Sequence, residues 1–189
     1  MAKEFSEFTG QFFWNFKRMD NVNYNFEIIK KLYAAKKVKN NDPRFNKPLI
    51  ILIMAIIECT LYDFIERIHQ YSNDSFPNIT DVIVSYFRGT KETDELKIII
   101  QRIKSQNLLR VSSSDSIYED LEHLRLLRNR VHIQNRYAIE PADEHKAFTS
   151  SELDLAQRCL EKVFDALCNV YPRWDHQPIP MNEFPRPWL

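Results

Sequence analysis

The run Leu49-Ile-Ile-Leu-Ile-Met-Ala-Ile-Ile57 contains nine consecutive apolar residues, preceded by Pro48 and ended by Glu58. Proline is well placed at the start of a helix, and a helix that is apolar nearly all round lies in a protein core. A membrane-spanning helix needs about 20 apolar residues, so the run is too short to cross a bilayer. We therefore expect a central, buried helix that extends to about Tyr71, and no membrane contact.

Helical patterns surround this core helix on both sides along the chain. Aromatic residues at helical spacing predict an amphipathic first helix, and they are Phe5, Phe8, Phe12 and Phe16. Further helices are predicted over residues 23–37, 80–87, 92–109, 116–135 and 149–171, two of which begin with the capping-box patterns Ser116-x-x-Glu119 and Thr149-x-x-Glu152. The chain has only two glycines, which disfavours a hairpin-rich β protein. The predicted fold class is all-α, an up-and-down helical bundle of five to seven helices.

The length and the proline distribution predict one domain followed by a tail. A chain of 189 residues is long enough to bury one sizeable core, and we assign residues 1–171 to a single helical domain. Residues 172–189 contain five prolines and little periodicity, which is typical of an extended C-terminal tail. Its aromatic residues, Trp174, Phe184 and Trp188, indicate that the tail docks either on the body of the protein or on a partner.

Charge and cysteine content narrow the class of protein. The 26 basic and 26 acidic residues balance, so the chain lacks the overall positive field that binds nucleic acid non-specifically. Any such contact must use a local patch. Three cysteines, an odd number, show no metal-site spacing and predict reduced thiols in a cytosolic protein. The N-terminus has no short apolar core of a signal peptide, which also favours a cytoplasmic location.

Residues 125–132, Arg-Leu-Leu-Arg-Asn-Arg-Val-His, combine arginine, asparagine and histidine within one predicted helix. Positions three, four and seven apart lie on one helix face. Arg125 and His132 are therefore expected to project to the same side, together with Arg128 or Asn129. No carboxylate lies within the segment. A face that joins a fixed positive charge to a group titrating near neutral pH is suited to phosphate chemistry.

This segment resembles the signature of the HEPN superfamily, which is an arginine, usually beside a polar residue, followed after four to six residues by a histidine near the end of a helix. Six residues separate Arg125 from His132, which fits the range. Only three separate Arg128 from His132, although Arg128 has the expected polar neighbour, Asn129. The choice between the two arginines is therefore open. The resemblance covers residues 125–132 at the level of the motif and about 50–170 at the level of the fold.

The resemblance implies a metal-independent endoribonuclease of a toxin or antiviral-defence system that needs no cofactor. It also implies a homodimer whose two motif helices meet across a cleft. RNA would be the substrate, cleaved when its 2′-OH attacks the adjacent phosphate. His132 would act as general acid or base, and Arg125 or Arg128 would stabilise charge on the phosphate. Asn129 would orient one of these groups, and further contacts with the substrate are expected from Arg130 and Arg136.

Two acidic residues of the core helix are also of interest. Glu58 interrupts the apolar pattern, and a buried carboxylate is costly unless it is paired. We predict that Glu58 contacts Arg125 or Arg128 and fixes that arginine; a tyrosine or a backbone group is the alternative partner. Asp63 and Arg67 are four residues apart and are expected to form an ordinary helix pair.

A second interpretation is a non-catalytic HEPN-like helical module that binds a nucleotide or a protein partner. This interpretation is favoured if Arg128 is the inward arginine, because its interval to His132 is short. An antitoxin or another regulatory protein is the expected partner of a toxin. HEPN toxins that are controlled by modification of a tyrosine two residues after the histidine are a poor match, since Gln134 occupies that position.

Overall fold

The computed structural model describes residues 3–70, 79–88, 95–131, 143–173 and 179–189. Within these ranges the chain forms helices and no strand, which confirms the predicted all-α class. The helices are α1 (Phe5–Phe12), α2 (Phe16–Val38), α3 (Asn46–Gln70), α4 (Asp81–Arg88), α5 (Leu96–Ser105), α6 (Ile117–Asn129), α7 (Glu144–Ala147) and α8 (Ser150–Val170). This count exceeds the predicted five to seven only because of α7, which is a single turn.

Helix α3 is the centre of the bundle, as the apolar run predicts. It packs against α2, α4, α5, α6 and α8, and its residues Ile50, Ile53 and Ile57 are fully buried. Among the described residues, the segment Pro43–Gln70 is the one that is long and apolar enough to cross a membrane, and most of its apolar stretch is buried within the bundle. Burial by five neighbouring helices is what the core helix of a bundle requires.

The first two helices are divided differently from the prediction. Helix α2 begins at Phe16 rather than near residue 23, because the Asn15 side chain caps it by accepting a hydrogen bond from the Arg18 backbone N–H. The Phe12–Phe16 interval therefore spans a break between two helices. The other three phenylalanines of the pattern are buried, whereas the Phe16 side chain is 65% exposed, so its predicted place on the inner face was wrong.

Two helix ends and one cap also differ from the prediction. Helix α5 ends at Ser105, and the turn that follows contains left-handed backbone at Asn107 and Arg110, with φ of 44° and 52°. Helix α6 ends at Asn129, six residues earlier than predicted. The capping box expected at Ser116 does not form, because the Ser116 hydroxyl donates to Asp120 instead. The cap at Thr149 is confirmed, since its Oγ1 accepts from the Glu152 backbone N–H.

The described part of the C-terminal tail docks on the body of the protein. The Phe184 ring is buried among aromatic rings of α1, α2 and α8. Arg186 Nη2 lies 2.9 Å from Glu161 Oε2, and Trp188 Nε1 donates to Glu161 Oε1. Residues 179–189 therefore complete the core that the helices begin, and the predicted docking on the body is confirmed for Phe184 and Trp188; Trp174 lies outside the described residues.

Candidate functional site

Helix α6 presents the arginine-rich motif at the edge of the bundle. Its apolar side chains are buried against α3, α5 and α8, and they are Ile117, Leu121, Leu124 and Leu127. Arg125, Arg128 and Asn129 are half-buried beside them, at positions three and four apart that share one helix face. The predicted common face is therefore present as far as Asn129, where the α-helix ends.

Arg125 forms a bidentate ion pair with Glu122 on its own helix. Arg125 Nε and Nη2 donate to the two carboxylate oxygens of Glu122 at 2.8 and 2.7 Å. This hydrogen bonding holds the pKa of Glu122 below its usual value. The pairing follows from the i, i+3 spacing. Glu122 lies just before residues 125–132, which themselves contain no carboxylate. Only 14% of the Arg125 side chain is exposed.

Arg128 is paired across the helix interface with Glu58 of α3. Its Nη2 lies 2.7 Å from Glu58 Oε1, so the predicted contact between Glu58 and a motif arginine is present. Glu58 is half-buried rather than fully buried, and its desolvation therefore costs less than the sequence argument assumed. The Arg128 side chain is 26% exposed, and its buried Nε has no hydrogen-bond partner among the described residues.

The remaining motif residues have different positions from those expected. Arg130, predicted to bind substrate, is buried and only 7% exposed, which leaves little of its surface for an RNA phosphate. The backbone N–H groups of Arg130 and Val131 donate to Leu127 and Arg128 at 3.1 and 3.0 Å and form a tight turn. The helical spacing that aligned His132 with Arg125 therefore stops at Asn129. His132 and Arg136 lie outside the described residues.

The end of α6 has an electrostatic preference that fits its sequence. The unpaired carbonyl groups of a helix C-terminus carry partial negative charge, which stabilises nearby cations. Arg128 belongs to the last turn of α6, and Arg130 is its C-terminal capping residue. A local cluster of arginines at this helix end is therefore stable in a protein whose net charge is zero.

His123 and Glu119 of α6 have partners on other helices, unlike Glu122, which pairs with Arg125 on α6 itself. His123 Nε2 is 2.8 Å from Glu152 Oε2 of α8, and Glu119 pairs with Lys104 of α5. In the described ranges, no three His, Cys, Asp or Glu side chains come together in a group that could hold a metal ion. The helix therefore offers guanidinium and amide groups to a ligand, and these bind anions and hydrogen-bond acceptors.

Asp63 and Arg67 attract each other, as the predicted helix pair implies, and both side chains also hold helix ends in place. The buried Asp63 carboxylate accepts hydrogen bonds from the backbone N–H groups of Trp14 and Asn15 at 3.0 and 3.2 Å. Arg67 donates from Nη1 to the Phe12 carbonyl and from Nη2 to the carbonyl of Tyr171, at 2.7 and 2.8 Å. An anion thus meets the start of α2, and a cation meets the ends of α1 and α8, as their dipoles favour.

Burial changes the pKa of both groups. Desolvation raises the pKa of Asp63, although the two backbone hydrogen bonds act in the opposite direction. Desolvation lowers the pKa of Arg67 to about 9, so the guanidinium remains charged at neutral pH. The α1–α2 link is held by the hydrogen bonds of these two side chains, which lie one turn apart on α3.

A surface cavity of about 320 Å³ lies beside Asp63 and Arg67. Trp14 and Phe16 line one side, and Glu66 and Gln70 of α3 line another. The sequence offered one signal for it, a phenylalanine at the start of α2 that does not belong to the buried face. The helical period that joins Phe16 to Phe12 conceals this signal in the sequence.

Comparison with known proteins supplies no relative for this chain: no protein-family model, curated protein or solved structure matches it. The resemblance of residues 125–132 to the HEPN signature therefore rests on the motif alone. The site at the end of α6, with its two ion-paired arginines, is the basis on which a function can be argued.

Proposed function

We propose that this chain is a HEPN-like, metal-independent endoribonuclease whose active site lies at the C-terminal end of α6. The observation that carries the proposal is the ion pair between Arg128 and Glu58 at 2.7 Å. A carboxylate of the central helix holds this guanidinium beside Asn129 and four positions before His132 in the sequence. Preorganised donors of this kind stabilise charge that develops in a transition state.

The hydrogen bonding of the two arginines favours Arg128 over Arg125 as the phosphate-binding residue. Arg125 commits two nitrogens to Glu122 and is the less exposed of the two. Arg128 commits Nη2 to Glu58 and keeps more of its side chain accessible. A guanidinium with donors to spare can bind a phosphate oxygen while its carboxylate partner continues to orient it. We therefore assign the phosphate to Arg128 and a supporting role to Arg125.

The proposed reaction is an internal transesterification of RNA. The 2′-oxygen attacks phosphorus, its proton passes to a base, and the bond from phosphorus to the 5′-oxygen breaks as that oxygen takes a proton. The products are a 2′,3′-cyclic phosphate and a 5′-hydroxyl end, so no oxidant, metal or water is consumed in this step. His132 transfers the proton, which contributes about 10²–10⁴-fold. Arg128 stabilises the negative phosphorane, and Asn129 orients the histidine or a phosphate oxygen.

A homodimer formed through the α6 helices completes the proposal. Leu126 and Val131 are exposed apolar residues on and just beyond this helix, and homodimer interfaces are more apolar than the rest of a protein surface. Pairing of two α6 ends would supply one histidine as base and one as acid for each phosphate. We place this activity in a cytoplasmic toxin or antiviral-defence protein that is controlled by an antitoxin or another regulatory protein.

A second function, nucleotide or protein binding without cleavage, is favoured by the short interval between Arg128 and His132 and by one further observation. Both motif arginines are already paired with carboxylates, Arg125 with Glu122 and Arg128 with Glu58. Each pair lowers the positive potential that would attract a phosphate. Such a site binds a ligand that hydrogen-bonds to the arginines without displacing the acids.

The decisive experiment incubates the purified protein with total RNA in the presence of a chelator. We expect cleavage by the wild type, none by His132→Ala, and a loss of about 10²–10³-fold for Arg128→Ala. Arg125→Ala should lose less. His123→Ala is the matched control, because His123 lies on α6, is exposed and contacts Glu152; its activity should equal that of the wild type.

Three results would contradict the nuclease assignment. Undiminished cleavage by His132→Ala removes the proposed acid–base residue, and dependence of cleavage on a divalent metal removes the mechanism. Absence of cleavage by a folded wild-type protein, combined with binding of RNA that is lost in Arg128→Ala, identifies the second function instead. Circular dichroism of each variant separates a loss of activity from a loss of fold.

A further inference from the structure

The cavity beside the α1–α2 link combines an exposed aromatic rim with a hydrogen-bonding wall. Phe16 is the first residue of α2 and is 65% exposed, whereas the phenylalanines of α1 are buried. Trp14 is also exposed, and both rings line the cavity. Large aromatic side chains at a concave surface are typical of binding sites, because their burial by a ligand is favourable.

The rim of the cavity is held firmly by the rest of the fold. The backbone N–H groups of Trp14 and Asn15 donate to the buried Asp63 carboxylate, and the guanidinium carbon of Arg173 lies 5.8 Å from the centroid of the Trp14 ring. Phe16 follows directly as the first residue of the capped helix. A preorganised rim binds a ligand without a large ordering cost.

The charges around the cavity have a small positive excess, which bears on the class of ligand. Arg18 Nη1 lies 3.6 Å from Asp63 Oδ1 and also contacts Glu66. Arg67 supplies a second cation and Arg173, beside the Trp14 ring, a third, so three guanidiniums accompany two carboxylates. This excess favours the phosphates of a strand only weakly, whereas a planar group can stack on the rings. Gln70 Nε2 donates to Glu66 Oε1 at 3.2 Å, and Arg18 contacts the other carboxylate oxygen. The Gln70 amide oxygen and the remaining lone pairs of the carboxylate can accept hydrogen bonds from the polar edge of such a ligand.

We infer that this cavity binds a nucleobase of single-stranded RNA, stacked on Phe16 and Trp14, with its hydrogen-bonding edge toward Glu66 and Gln70. Unstacked bases of single-stranded RNA are bound in this way by aromatic side chains together with polar groups. The cavity, with a volume of about 320 Å³, accommodates one base with space for its sugar. The inference extends the proposed function and rests on it for the identity of the ligand as RNA.

The position of the cavity along α3 suits this role. Glu58, which holds Arg128, and Glu66, which lines the cavity, are eight residues apart on the same helix. At 1.5 Å per residue this separation is about 12 Å along the axis, which a strand of a few nucleotides spans. Tyr62 lies between them in the i, i+4 series, and the Arg18 guanidinium is 4.7 Å from its ring centroid. The cavity would thus bind a base a few nucleotides from the cleaved phosphate.

The test measures binding of a fluorescently labelled, 2′-O-methyl single-stranded RNA, which cannot be cleaved, by anisotropy. The Phe16→Ala variant should bind this strand about tenfold or more weakly than the wild type, because one base loses its stacking partner. Tyr24→Ala is the matched control, because Tyr24 is an aromatic residue of the same helix and is 69% exposed; its affinity should not change. An abasic strand with the same backbone should bind wild type and Phe16→Ala equally.

The outcomes separate this inference from the nuclease proposal. Equal binding of the 2′-O-methyl strand by wild type and Phe16→Ala overturns the inference, as does a Phe16→Ala deficit that persists with the abasic strand or is matched by Tyr24→Ala. Because the strand cannot be cleaved, Phe16-dependent binding supports the cavity even if no RNA is cleaved in the chelator assay. If cleavage needs His132 but binding does not depend on Phe16, the nuclease proposal stands and the inference of a base-binding cavity is wrong. Phe16 is largely exposed, so both variants should remain folded.

Discussion

Truncation of Phe184 to alanine should destabilise the whole protein, although the residue lies only five positions before residue 189. Its ring centroid is 5.2 Å from that of Phe8, 5.7 Å from that of Phe164 and 5.9 Å from that of Phe5. The side chain is buried. If residues 179–189 belong to the core, the substitution removes a buried aromatic ring and leaves a cavity between α1, α2 and α8.

The expected loss follows from measured core substitutions. Replacing a buried phenylalanine by alanine costs about 3–5 kcal/mol in the free energy of unfolding, because apolar burial is lost and the neighbours collapse only in part. Urea unfolding of a small protein has a slope of about 1–3 kcal/mol per molar. With a slope of about 2.5, the midpoint of Phe184→Ala should fall by about 1–2 M. Fluorescence and circular dichroism should report the same transition.

Leu189→Ala is the control, since Leu189 is exposed and its truncation should change stability by less than about 0.5 kcal/mol. A loss below about 1 kcal/mol for Phe184→Ala would refute the reasoning. It would mean that the tail is an appendage, as the proline-rich sequence of residues 172–189 suggested, and that the ring contacts contribute little to the stability of the domain.

Two further predictions concern α8. Thr149→Ala should lower stability by about 1 kcal/mol because the N-cap hydrogen bond to the Glu152 N–H is removed; Ser150→Ala, measured by the same urea unfolding, should be nearly neutral, and equal losses would discount the cap. Burial raises the pKa of Cys168 to about 12, so at pH 8 only about one thiol in 10⁴ is ionised and native alkylation by iodoacetamide should be very slow. The unfolded thiol ionises near pH 8.5, whereas the folded state keeps the proton above that pH. The stability that the protonated Cys168 contributes therefore declines as the pH rises above about 8.5. Fast labelling of Cys168 in the folded protein, read by peptide mass spectrometry, would count against its burial.

Features set by neighbours in the sequence were the most predictable. The apolar run of residues 49–57 predicts the central position of α3, because a helix without a polar face has to be enclosed. The Thr149 cap and the inward faces of the later helices follow in the same way, since capping and helical periodicity involve residues within a few positions of one another. The all-α class needs no more information than these local patterns.

The helix breaks were less predictable, because they depend on distant partners. Phe5, Phe8, Phe12 and Phe16 keep one helical period, yet the chain breaks after Phe12. Asp63, about 50 residues away, binds the backbone N–H groups of the break and so satisfies donors that a continuous helix would have satisfied itself. A periodic pattern does not record whether a distant carboxylate offers this alternative.

The candidate site divides along the same line. The composition of residues 125–132 predicts a cluster of guanidinium groups at the end of one helix. The i, i+3 spacing of Glu122 and Arg125 predicts their ion pair. Both features involve residues close together in the sequence. The packing of α6 in the bundle determines that Arg128 meets Glu58 and that Arg130 is buried. The packing of the α1–α2 link on α3 determines that Phe16 borders a cavity. Such contacts depend on the distance and angle between helices, which arise from the fit of many side chains together and cannot be read from any one segment.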